Sequence, residues 1–134
     1  MILYITDKGV NPLNEGYEQK HRIIQELVPG KQITLAHIIA NPDSTLYRKL
    51  GLDPTVDYSK KSAIGIMTMT PSEYAIIASD IALKSSGAEV GFVDRFSGTL
   101  IITGKVSEVD SAFTAIGDYF RDTLHFTVCD KTRT

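Results

Sequence analysis

Residues Thr70-Pro71-Ser72-Glu73 carry the marks of a helix start, directly behind an alternating apolar run from Ala63 to Met69. Thr is a favoured N-cap, Pro suits the first helical position because the N–H it lacks would be unsatisfied there anyway, and Glu three residues after Thr completes a capping box. Tyr74, Ile77, Ala78 and Ile81 follow at helical spacing and predict one apolar face, with Ser85-Ser86-Gly87 as the stop. A strand that feeds straight into an amphipathic helix needs a sheet for that helix to cover.

The rest of the chain supplies the sheet. Apolar, β-prone runs lie at Ile33 to Ile39, Ala63 to Met69, Glu89 to Asp94, Thr99 to Thr103 and Leu124 to Val128. A second main helix is predicted from Ser107, with Asp110 as its capping partner and Val109, Ala112, Phe113, Ile116 and Phe120 on one stripe. Phe96-Ser97-Gly98 is short enough for a hairpin, and the run–helix–run stretch from Ala63 to Asp94 reads as a crossover unit. A small helix is expected from Ser44 to Leu50, closed by Gly51, and Asp53 to Lys61 reads as a polar surface loop. The expected class is α/β, an α+β sandwich with a mainly antiparallel sheet and two main helices packed against it.

The first residues stand apart. Ile2, Leu3, Tyr4, Ile5 and Thr6 read as one more strand, but Asn11-Pro12-Leu13-Asn14-Glu15-Gly16 then breaks the chain and no nearby run offers a hairpin partner. A lone apolar strand is an aggregation hazard unless it is covered, and cyclic repetition of identical copies into a small barrel is one way to close it. A frayed terminus is the plainer alternative.

Composition excludes whole classes of function. With 134 residues, 43% hydrophobic and 22% charged, the chain has the size and balance of one globular domain, so disorder and a membrane span are not expected. A formal charge of −2, with Lys and Arg scattered, offers no electrostatic footprint for nucleic acid. The opening apolar stretch is too short for a signal peptide and lacks a preceding positive charge. The lone Cys129 forms no intrachain disulfide and suits a reducing compartment, so a cytoplasmic protein is expected.

Catalytic patterns are missing from the sequence. His21, His37 and His125 show no metal-ligand spacing. Pro29-Gly30-Lys31 and Gly104-Lys105 lack the other residues of a phosphate loop, and no dinucleotide fingerprint or nucleophile elbow is present. Asp94-Arg95 at a strand end reads as a loop ion pair, with an active-site pair or a ligand clamp as the sharper alternatives. Lys84 reads as a helix-end cation complementing the dipole, with an interface contact or a catalytic amine as alternatives. Met67 and Met69 alternate as core strand residues do. No cofactor and no enzymatic activity are expected.

Long strings do carry a resemblance. Gln25-Glu26-Leu27-Val28-Pro29-Gly30-Lys31-Gln32, Thr34 to Pro42, Ala63 to Glu73, Gly91 to Gly98 and the tail from Phe126 to Thr134, in that order, resemble the circularly permuted shell proteins of propanediol- and ethanolamine-utilisation microcompartments. The resemblance covers the chain from about Ile23 to the end. Two regions depart: the loop through Asp57-Tyr58-Ser59-Lys60-Lys61 is longer than the family pattern, and the first twenty or so residues match in position more than in identity.

The resemblance implies a permuted shell domain over residues 23–134 behind an extension of residues 1–22. It further implies a cyclic homohexamer that tiles with other shell proteins in a cytoplasmic compartment, with encapsulated enzymes or their targeting peptides as further partners. Ile2 to Thr6 would join an intersubunit β-barrel over the hexamer axis. Phe96, Ser97 and Gly98 would form the loop that approaches the axis, and Lys84 would be the edge lysine that packs against a neighbouring hexamer. That loop holds no cysteine, so the iron–sulfur cluster of some shell relatives is not expected. A small-molecule sensor domain, with Asp94-Arg95 and the following loop as its clamp, is the rival from another class.

Overall fold

A computed structural model describes residues 30–52 and 55–134. Among these residues six strands form one sheet: β1 (Gln32–Ala40), β2 (Ala63–Thr70), β3 (Glu89–Asp94), β4 (Thr99–Gly104), β5 (Thr127–Val128) and β6 (Thr132–Arg133). Three helices join them, α1 (Ser44–Lys49), α2 (Tyr74–Ser85) and α3 (Val106–Asp122), with a 3-10 turn at Tyr58–Lys60. The strand order is β3-β4-β2-β1-β5, and β6 also pairs with β1. All pairings among β1 to β4 are antiparallel, whereas β5 and β6 run parallel to β1. The expected mainly antiparallel sheet, hairpin and crossover are all present; the crossover from β2 through α2 to β3 leaves room for β4 between its two strands.

Period-two alternation splits the sheet's residues between two faces. Ile33, Ala36, Ile38, Met67, Met69, Leu100 and Ile102 belong to the core shared with α2 and α3. The stripe predicted for α3 is buried throughout: Val109, Ala112, Phe113, Ile116 and Phe120. Phe126 closes the end of this core edge-on to Tyr74 and Phe120, with ring centroids 4.9 and 4.7 Å away. On the opposite side Tyr47, Leu52 and Ile64 make a smaller core beneath α1.

Both predicted caps are displaced. Thr70 is still paired with Gln32 at the end of β2 and precedes a cis proline bond, so it is no N-cap; a residue before proline favours extended backbone. α2 begins at Tyr74 without a side-chain cap. Its first N–H groups donate instead to the carbonyls of Pro71, Ser72 and Glu73 at 3.1–3.2 Å. In α3 the capping carboxylate is Glu108, which accepts from the Lys105 N–H at 2.8 Å. Asp110 pairs with Lys131 at 2.8 Å, and the Val106 N–H donates to the Ser62 hydroxyl at 3.2 Å.

Two further expectations are corrected. α2 buries Ala75, Ala78, Ser79 and Ala82 most deeply; of the predicted face Ala78 is buried, Tyr74 and Ile81 pack half-buried against the same core, and Ile77 turns out, 40% exposed. Small side chains let this helix approach the sheet closely, with Ile76, Ile77 and Leu83 turned outward. The run from Leu124 to Val128 is a strand only at Thr127–Val128. Ahead of it His125 adopts a positive φ and the Phe126 N–H donates to the Phe120 carbonyl at 2.8 Å, which folds this stretch back onto α3. The tail then runs beside β1, where the His37 ring nitrogens lie 2.6 and 3.0 Å from the hydroxyls of Thr132 and Thr134.

Candidate functional site

The β3–β4 hairpin presents Phe96, Ser97 and Gly98 on a turn held from within. Asp94 accepts the Phe96 N–H at 2.9 Å with one oxygen and the Ser97 hydroxyl at 2.8 Å with the other. Ser97 Oγ also lies 3.0 Å from the Thr99 hydroxyl. The Phe96 N–H, and then the Ser97 hydroxyl, hold the Asp94 carboxyl below its usual range. Asp94 therefore acts as a turn cap, while Arg95 sits 4.9 Å from the centroid of the Phe96 ring, so the expected Asp94–Arg95 ion pair gives way to a capped turn and a cation–π contact.

Gly98 is required here for two reasons. Its φ of 77° is unfavourable for side-chain-bearing residues, and a Cβ would run into the Met69 carbonyl oxygen. Its own carbonyl accepts the Met69 N–H at 2.9 Å, and its N–H donates to the Asp94 carbonyl at 2.9 Å. The result is a stiff turn that projects Phe96, 80% exposed, into solvent.

Phe96 is not isolated. Ile76, Val93, Asp94, Arg95 and Phe96 line a shallow groove of about 280 Å³ between the hairpin and the first turn of α2. Exposed Leu83 falls on the same side of that helix as Ile76, seven residues on. β3 is the last strand on its side of the sheet and also carries exposed Phe92. A strand edge with no partner among the described residues, beside clustered exposed apolar side chains, is the physical signature of an association surface.

Lys84 occupies the last turn of α2, with its Nζ 2.8 Å from the carboxylate of Asp80 and three quarters of its side chain in water. The hydrogen bond to Asp80, and then that charge, raise the lysine pKa. Helical rise puts Lys84 about 12 Å along the axis from Ile76, next to exposed Leu83. Ile2, Leu3, Tyr4, Ile5 and Thr6 lie outside the described residues, as does His21. The sequence reading missed Ile76, Leu83 and Phe92. The adjacent Ile76-Ile77 pair was the available signal, because a helix cannot bury both on one narrow face.

Among the described residues, no group of three His, Cys, Asp or Glu side chains is placed to hold a metal ion, and no helix is long and apolar enough to cross a membrane. Burial pushes the Cys129 thiol pKa up, which disfavours the reactive thiolate.

Comparison with known proteins shows the family. The BMC domain matches residues 63–132. The match runs from β2 to the start of β6 and leaves out β1, although β1 is hydrogen-bonded between β2 and β5, as a permuted chain order requires. The chain is 53% identical over 113 residues to the bacterial microcompartment shell protein PduU of Salmonella typhimurium, covering 84% of this chain and 93% of that protein. It is 47% identical over 114 residues to the shell protein EutS of Escherichia coli, covering 85% and 97%. The solved CutR flat hexamer superposes with a TM-score of 0.71 at 42% identity, covering 80% of this chain and 94% of that one. The chain belongs to the BMC-domain family of bacterial microcompartment shell proteins.

Proposed function

We propose that this protein is a non-catalytic wall tile of a bacterial microcompartment, and that six copies close into a ring which then packs edge to edge. The observation that carries this reading is the stiff hairpin with exposed Phe96, joined by Ile76 and Val93 beside the open edge of β3. Six-fold closure is taken from likeness to the CutR flat hexamer. In the ring, Phe96, Ser97 and Gly98 face the axis, and Lys84 meets the neighbouring hexamer. Residues 23–134 form the tile, and residues 1–22 extend it so that Ile2 to Thr6 of six copies close a barrel over the axis. The partners are other copies, other shell proteins, and encapsulated enzymes or their targeting peptides.

Light scattering on the full chain tests the reading. The expected mass is six times that of the protomer or a larger assembly of such units; a stable monomer or dimer across several pH values overturns it.

A further inference from the structure

The side of the sheet facing away from α2 and α3 holds a feature that the tile does not use. Ser44, Tyr47, Arg48, Gly51, Leu52 and Tyr58 line a groove of about 560 Å³, within the ~300–1,000 Å³ range of small-molecule sites. Tyr58 opens the 3-10 turn Tyr58–Lys60. Its ring stacks on Tyr47 with centroids 4.9 Å apart and planes 17° from parallel. Tyr47 is 5% exposed, and its hydroxyl is shielded from water with no hydrogen-bond partner. A buried polar group left unpaired costs stability and is rare in native proteins, so it calls for a specific explanation.

Charge supplies the second part of the argument. Arg48 lines the same groove and enters no ion pair among the described residues, and Lys49 follows it in the last turn of α1. Arg48 and Tyr47 both line the groove, and a carboxylate is the group that accepts from both a guanidinium and a phenol hydroxyl. Leu52 and the face of the Tyr58 ring suit an apolar body. The neutral hydroxyl needed as donor is favoured because burial, and then neighbouring Tyr58, raise the Tyr47 pKa.

We propose that this groove binds a small carboxylate with an apolar body, its carboxylate held by the Arg48 guanidinium and the Tyr47 hydroxyl. The body lies against Leu52 and the Tyr58 ring. Since the hydroxyl now meets no water, the acceptor reaches it as the half-buried Tyr58 ring, carried on a single 3-10 turn, shifts off Tyr47. All of its lining residues come from one protomer.

The probe is 4-phenylbutyrate, titrated calorimetrically into the full-length assembled protein, with 4-phenylbutanol as its uncharged counterpart. Saturable binding of the acid is expected, with the alcohol and Arg48→Gln each weaker by about tenfold or more. Tyr47→Phe should also weaken binding while leaving the ligand-free melting temperature unchanged or higher. The chain has no tryptophan, so binding should alter a near-ultraviolet circular dichroism signal that belongs to tyrosine and phenylalanine. Three results would overturn the proposal: no saturation up to roughly 10 mM acid, the weak end of small-molecule affinity; affinity unmoved by both substitutions; or a lower melting temperature for Tyr47→Phe, which would mean the hydroxyl already has a partner.

Discussion

Asp94 and Gly98 do different work within one five-residue turn. The glycine's role was legible only in part, because the resemblance placed it in a loop near the axis without saying why a glycine is needed there. The structure adds a backbone reason, since φ of 77° and the nearby Met69 carbonyl together exclude a side chain. Gly98→Ala should cost ~2 kcal/mol or more, read as a fall of several degrees in the thermal unfolding midpoint. Asp94 makes a pH prediction. Its folded pKa lies below the ordinary 3.8, so its contribution is complete above that value and is lost as pH falls through the depressed one. The gap in melting temperature between wild type and Asp94→Asn should hold from about pH 7 to 5 and close below roughly pH 4. A gap that persists in stronger acid would show that shape rather than charge is what matters.

At the scale of elements, α3 and α2 differ in how far sequence could describe them. α3 has one apolar stripe and buries it, since no other face competes. α2 has large apolar residues around much of its circumference, and its alanines are buried instead. Choosing between those faces takes the closeness of the sheet, which no local pattern records. The outward-facing Ile76, Leu83 and Lys84 are then free to meet other copies. Lys84→Ala should leave single hexamers intact, because its pair with Asp80 is exposed to water and such pairs contribute little. Extended sheets seen by electron microscopy should become smaller or fewer. Sheets of unchanged extent would remove Lys84 from the edge contact.

For the whole molecule, the decisive contacts link distant parts of the chain. His37 binds hydroxyls of Thr132 and Thr134, and Lys131 reaches Asp110 and Thr114 at 2.8 and 2.7 Å, so the tail is tied both to the sheet and to α3. Under the proposed arrangement, the segment before β1 has a role separate from this tie. Deleting residues 1–20 should leave the hexamer mass in light scattering and open the axis in projection images. Loss of all assembly would mean that the segment builds the ring rather than covering it.

By itself the sequence determined the four main strands, the hairpin, the buried stripe of α3 and, through long matching strings, the family. These rest on residue alternation, helical spacing and turn chemistry, which act over a few neighbouring residues. Only the tertiary structure decided which face α2 buries, that Glu108 and Ser62 rather than the nearest capping pattern hold the start of α3, that the tail lies parallel to β1, and that Tyr58 stacks on Tyr47 above an unpaired hydroxyl. Each of these depends on how closely separately formed elements approach, and that distance is set by the packed core as a whole.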